Sequence, residues 1–119
     1  MKRIGLSLLV TVLPSLTLLE AHAFLERAEP GVGSTVKASP NEVRVLFTEN
    51  IEPAFSTIQV FDASGKEVDK RDVYLDGSNH ALLHVSLPLL QPGVYRVVWR
   101  VVSVDTHLTN GDFTFRVVR

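Results

Sequence analysis

Apolar and polar residues alternate through most of the chain after residue 23, and this two-residue period predicts short β-strands. The alternation is clearest over residues 42–47, 57–61, 81–87, 94–102 and 112–118, with shorter stretches at 24–28 and 73–75. No segment shows a sustained helical period. About seven strands separated by turn residues within one small domain predict an all-β fold, with an immunoglobulin-like β-sandwich as the architecture.

Turn residues and strand register give more specific expectations for this sandwich. Asp62-Ala63-Ser64-Gly65 predicts a hairpin turn, and Asn110-Gly111 predicts a second turn before the last strand. Tyr95 begins a long strand after Pro92-Gly93, where its hydroxyl can bond back to the preceding corner. Trp99 shares a strand face with apolar neighbours, which predicts a core position. The remaining expectation concerns two histidines, His80 and His84, which are predicted to lie on the surface because residues four apart in a strand are too distant to share a metal ion.

The first 21 residues have the pattern of a cleaved secretory signal peptide. Lys2 and Arg3 precede an uncharged apolar stretch over 4–19, which Pro14 interrupts and which is shorter than the ~20 residues of a membrane span. We therefore expect a signal peptide at 1–21 and an exported domain at 22–119 that is not membrane-embedded. The cleavage site has two readings. The A-x-A rule favours cleavage after Ala23, whereas cleavage after Ala21 makes His22 the new amino terminus.

Composition removes several classes of function. The chain has 12 Lys+Arg against 13 Asp+Glu, a net charge of −1 and no basic run, so nucleic acid is not an expected partner. It has no cysteine, which excludes zinc-thiolate centres, iron–sulfur clusters and a cysteine nucleophile. Its length of 119 residues allows one folded domain. No nucleophile elbow or glycine-rich phosphate loop is present.

Asp105-Thr106-His107 is the candidate for chemistry. A carboxylate and an imidazole at positions i and i+2 lie on one side of an extended chain, directly after the long strand. Alone this is a weak signal, because a solvated loop can carry the same residues. A chain that begins at His22 adds an α-amine and a second imidazole on one residue. Together these nitrogens and the Asp105 oxygen suit Cu(II), which prefers tetragonal nitrogen and oxygen donors.

Several motifs resemble the CopC family of copper-resistance proteins, in order along the chain. They are His22-Ala23-Phe24-Leu25, Glu29-Pro30-Gly31, Phe47-Thr48-Glu49-Asn50, Pro92-Gly93-Val94-Tyr95 and the specific stretch from Trp99 to His107. The resemblance implies a periplasmic copper carrier with an immunoglobulin-like or cupredoxin-like Greek-key β-sandwich. It implies one Cu(II) per chain held by His22, Asp105 and His107, with Glu49 as a further ligand or a neighbour of the ligands. It also implies a CopD-like inner-membrane copper transporter as partner.

The chain departs from this family in its methionines. Some members carry a methionine-rich segment for Cu(I), but residues 61–80 contain no methionine, so we expect no Cu(I) site. The main prediction is a binding protein for copper resistance and homeostasis, not an enzyme. A copper-dependent mono-oxygenase with an amino-terminal histidine chelate is the alternative, and a metal-free adhesion sandwich is the third.

Overall fold

The computed structural model describes residues 23–119, which form a β-sandwich of two four-stranded sheets. One sheet has the order β1-β3-β6-β5 and is antiparallel, and the other has the order β2-β8-β7-β4. Eight strands confirm the predicted fold, with one strand more than expected. Their bounds are β1 Leu25–Glu29, β2 Thr35–Val36, β3 Glu42–Phe47, β4 Thr57–Phe61, β5 Tyr74–Leu75, β6 Leu82–Ser86, β7 Gly93–Val102 and β8 Leu108–Val117, with a 3₁₀ turn at Pro53–Phe55.

The core lies between the inward faces of the two sheets, where the alternation placed it. Trp99 is 6% exposed and meets Phe47 of the opposite sheet edge-on, with ring centroids 5.2 Å apart. The Tyr95 hydroxyl donates to the Gln91 carbonyl, as predicted for the corner. The other large or β-branched core residues are Val43, Val45, Ile51, Ile58, Val60, Leu83, Val85, Leu87, Leu90, Val97, Val101, Phe113, Phe115 and Val117.

The hairpin at residues 62–65 is also confirmed. The Asp62 carboxylate accepts the backbone N–H groups of Ser64 and Lys66, and Gly65 takes the positive φ of +90° that the turn needs. The strand β2, which pairs in parallel with β8, was not predicted, because two residues are too few to show a period.

The predicted turn at Asn110-Gly111 is wrong, because both residues lie inside β8 and pair with β7. Gly111 lies opposite Trp99, and a Cβ at Gly111 would stand 2.5 Å from the indole ring. The glycine therefore makes room for the tryptophan instead of turning the chain. The actual reversal occurs earlier, over residues 103–107, which include the Asp105-Thr106-His107 motif.

The surface position predicted for His84 is wrong, although His80 is exposed as expected. His84 points to the outer face of β6 but is only 7% exposed, because Tyr74 of the neighbouring strand stacks on its ring at 4.7 Å. Its Nδ1 lies 2.9 Å from a Glu42 carboxylate oxygen and its Nε2 lies 2.8 Å from an Asp76 oxygen. Strand alternation predicted the correct face for His84 but could not show that the Tyr74 ring covers its side chain.

The predicted signal peptide at 1–21 and His22 lie outside the described residues. Within residues 23–119, no helix has the length and apolar character needed to cross a bilayer.

Candidate metal centre

The inward-facing positions of β7 and β8 change from apolar to polar at one end of the sandwich. On β7 the inward series of Trp99 and Val101 continues into Ser103, just past the strand, and Ser103 is fully buried. On β8, Thr109 pairs with Val101, and the His107 carbonyl accepts the Ser103 N–H at 3.0 Å. The inward-facing rows of side chains on β7 and β8 therefore end in hydroxyl groups and an imidazole.

The loop that carries Asp105 and His107 is built around Ser103. The Ser103 hydroxyl donates to Asp105 Oδ1, and the Ser103 hydroxyl oxygen accepts the His107 N–H at 3.3 Å. The Ser103 carbonyl accepts the Thr106 N–H at 2.8 Å, which closes a turn in which Thr106 has a φ of +73°. A positive φ is uncommon for a β-branched residue, and the surrounding hydrogen bonds hold it there.

Asp105 and His107 lie together, as the motif predicted. Asp105 Oδ1 is 3.5 Å from His107 Nδ1, and the two side chains are 43% and 40% exposed. They meet through a turn with a left-handed Thr106, and not through the alternation of an extended chain. The hydrogen bond from Ser103 lowers the pKa of Asp105, with a smaller contribution from the charge of His107. The loop thus presents an ionised carboxylate and an imidazole to solvent.

The start of the described chain is fixed beside this loop. Ala23 is fully buried, and its carbonyl accepts the Thr109 hydroxyl at 2.6 Å. Phe24 then pairs with Thr48, through the Thr48 hydroxyl at 2.9 Å and the Thr48 N–H at 2.9 Å. Thr109 follows His107 by two residues, so the Ala23 carbonyl contacts β8 two residues beyond His107. His22 itself lies outside the described residues.

Glu49 lies next to this end of the sandwich. Its neighbour Thr48 bonds to Phe24, and its other neighbour Asn50 accepts the Val104 N–H at 3.0 Å. Glu49 itself is half-buried. Among residues 23–119 the structure brings together no group of three or more His, Cys, Asp or Glu side chains able to hold a metal ion. The role of Glu49 as a ligand or a neighbour of ligands stays a prediction.

Sequence reasoning did not identify Ser103 and Thr109 as parts of this region. A signal was available for Ser103, because it continues the inward register of three apolar residues and must place a hydroxyl at a core position. Thr109 gave a weaker signal. Its partner Ala23 is distant in sequence, and only the folded chain brings the two together.

Comparisons with known proteins place this chain in a family. The CopC domain family matches residues 25–118. The copper transport protein CutJ of Bacillus subtilis is 34% identical over 98 residues, which cover 82% of this chain but only 18% of CutJ. This chain therefore spans less than a fifth of that relative.

Solved structures give the same grouping. The crystal structure of CopC from Methylosinus trichosporium OB3b has a TM-score of 0.77 and 35% identity, and the match covers 82% of this chain and 94% of that one. PcoC, described as a methionine-rich copper resistance protein from Escherichia coli, has a TM-score of 0.72 and 33% identity, with 82% and 99% covered. The chain belongs to the CopC family of copper-resistance proteins, and its function concerns copper.

Proposed function

We propose that this chain is a periplasmic Cu(II) carrier and buffer, which binds one Cu(II) per molecule through His22, Asp105 and His107. The observation that carries the proposal is the juxtaposition of three features: the Asp105 and His107 side chains 3.5 Å apart, and the buried, tethered Ala23 beside them. Ala23 directly follows His22 in the chain. An amino-terminal His22 could therefore add its amine and imidazole to the pair.

The donor chemistry favours Cu(II) over other ions. Two imidazoles, an amine and a carboxylate supply borderline and hard ligands, and Cu(II) has the highest affinity among the first-row divalent ions for such a set. No thiolate or thioether is available after residue 1, so the chemistry that selects Cu(I) is lacking. PcoC, by contrast, is described as methionine-rich. We propose no Cu(I) site in this chain.

A binding role is favoured over oxygen chemistry. A copper mono-oxygenase has to cycle through Cu(I), which an anionic carboxylate ligand disfavours. The hydrogen bond from Ser103 keeps Asp105 oriented, and it lowers the pKa of that carboxyl. We therefore propose a non-enzymatic protein. Ascorbate-driven peroxide production by the copper-loaded chain, above that of free copper, would contradict this proposal.

Export and partner are further parts of the proposal. Residues 1–21 would direct the chain to the periplasm, and cleavage after Ala21 would expose the His22 amine. The partner would be a CopD-like copper transporter of the inner membrane. CutJ supports this pairing, because in that copper transport protein the CopC-like region amounts to 18% of a much longer chain.

The first test is to export the protein, determine its first residue by mass spectrometry and titrate it with Cu(II). We expect a chain that begins at His22, one bound Cu(II), and an electron paramagnetic resonance spectrum of nitrogen and oxygen ligands. Binding should weaken on acidification, because the amine and both imidazoles must lose their protons. A chain that begins at His22 and binds no Cu(II) would overturn the proposed function.

A further inference from the structure

Two hydroxyl groups at the end of the core, those of Ser103 and Thr109, touch both halves of the candidate copper site. Neither belongs to the proposed ligand set. Ser103 is fully buried and bonds to Asp105 and to the His107 backbone, whereas Thr109 bonds to the Ala23 carbonyl at 2.6 Å. The two residues continue one inward register, next to Val101.

The two residues contact different segments. Ser103 contacts the 103–107 loop, and Thr109 contacts the amino-terminal arm, the segment at Ala23 that directly follows His22. Ser103 forms hydrogen bonds within the loop through its hydroxyl, its N–H and its carbonyl, and these fix the direction of Asp105 and His107. Thr109 makes the only side-chain hydrogen bond to Ala23 found within residues 23–119. Ser103 thus holds the 103–107 loop, and Thr109 holds the chain at Ala23.

We propose that Ser103 and Thr109 are positioning residues that preorganise the copper site, Ser103 for the Asp105–His107 loop and Thr109 for the arm that ends in His22. This inference rests on the proposed function. A residue at a chain terminus loses conformational freedom when it chelates a metal, and a tether at the next residue reduces that loss before binding. A loop already closed around Ser103 likewise needs no reordering.

The test is a set of Cu(II) affinities measured on the mature chain beginning at His22, with a competing chelator. Thr109→Val keeps the size of the side chain and removes the hydroxyl, and Ser103→Ala removes the other hydroxyl. We expect each to weaken Cu(II) binding about three- to tenfold, the range of one lost hydrogen bond. The spectrum at saturating copper should be unchanged, because neither side chain is a ligand. Thr109→Ser should restore wild-type affinity.

Double variants separate positioning from a general loss of structure. In a background chain that carries His22→Ala and one extra glycine before residue 22, Thr109→Val should have no further effect on copper binding, because residue 22 then offers neither an imidazole nor a free α-amine. Ser103→Ala should keep its effect in that background, because it acts on the loop. A merely structural role would give the same additive loss in both backgrounds.

Ser39→Ala is the matched control, because the Ser39 hydroxyl accepts the Leu90 N–H at 2.7 Å at the other end of the sandwich. It should lower stability without changing copper affinity, and Trp99 fluorescence reports folding in every variant. If copper binding in the wild type depends on His22 but Thr109→Val and Ser103→Ala bind like the wild type, this inference is overturned and the proposed function stands. If binding by the wild type is independent of both His22 and His107, the proposed function itself is wrong.

Discussion

His84 and His107 are both histidines beside carboxylates, and the difference between them separates a structural histidine from a candidate metal ligand. His84 is buried under Tyr74, with a carboxylate within 2.9 Å of each ring nitrogen. His107 is 40% exposed, and its ring contacts Asp105 at 3.5 Å. Carboxylate oxygens thus contact both ring nitrogens of His84.

The two environments therefore suit the imidazole to different roles, a structural one at His84 and a metal-binding one at His107. In the His84 cluster, which consists of His84, Glu42, Asp76 and Tyr74, the ring bridges two carboxylates and so ties β6 to β3 and to the turn after β5. A metal ion would have to displace the carboxylate contact at a ring nitrogen of His84. In the His107 loop, Asp105 is held mainly by Ser103 and not by the ring. We propose the His107 imidazole as the metal ligand of this loop.

The largest expected effect comes from His107→Ala. We expect Cu(II) affinity to fall by about a hundredfold or more, because a direct ligand is lost and the range known for groups behind the ligands is already about 10–100-fold. Stability should change by less than about 0.5 kcal/mol, as is usual for an exposed side chain. Chelator competition and urea unfolding measure the two quantities. A large loss of stability with unchanged affinity would reverse the assignment.

His84→Ala should show the converse behaviour. Removal of the ring leaves Glu42 and Asp76 without their common partner, and we expect the free energy of unfolding to fall by about 1–3 kcal/mol. Copper affinity should stay within twofold of the wild type, a margin of about 0.4 kcal/mol. His80→Ala is the control, because His80 is exposed and should affect neither quantity. A loss of Cu(II) affinity in a His84→Ala variant that stays folded would contradict this comparison.

Acid should weaken the His84 cluster in a defined window. The hydrogen bond to His84, with a further one from the Ser78 N–H, lowers the pKa of Asp76 from 3.8 to about 2. A carboxyl group whose pKa is lowered by folding stabilises the fold at pH values above its ordinary pKa of 3.8. This contribution is lost as the pH falls through the lowered pKa of about 2. The stability difference between wild type and Asp76→Asn should therefore be present at pH 5 and shrink towards pH 2. A stability difference that grows on acidification would contradict a stabilising role for Asp76 in this cluster.

The smallest effect is expected at Tyr74. Tyr74→Phe keeps the stack over His84 and loses only the hydroxyl contact with Glu42 at 3.3 Å, so the free energy of unfolding should change by less than about 0.5 kcal/mol. Tyr74→Ala should cost more, because it uncovers the His84 ring. Urea unfolding at neutral pH measures both variants. Equal losses in the two variants would show that the stacked ring contributes nothing.

The sequence predicted those parts of the molecule that local periodicity controls. The alternation in β3 and β4 gave their bounds, and the inward series through Trp99 gave the core. It misread Asn110-Gly111, because a glycine that makes room for an indole across a strand pair looks the same as a glycine in a turn. It also missed the cover over His84, since no local pattern places Tyr74 on a neighbouring strand.

The candidate site shows the same division. Asp105 and His107 are two residues apart, and their meeting was predictable from the motif. The tether between Thr109 and Ala23 joins residues 86 positions apart, so it depends on how the whole sandwich closes. His22 stays a prediction from the motif resemblance, because the A-x-A rule by itself favours cleavage after Ala23.

The most direct measurement of the central claim compares Cu(II) affinity for the mature chain beginning at His22 with that for the same chain carrying one extra glycine before His22. The added residue keeps both imidazoles and Asp105 but removes the free α-amine of His22. We predict a loss of affinity of at least about a hundredfold, together with a changed electron paramagnetic resonance spectrum. Equal affinity and an identical spectrum in the two chains would contradict the amino-terminal copper chelate.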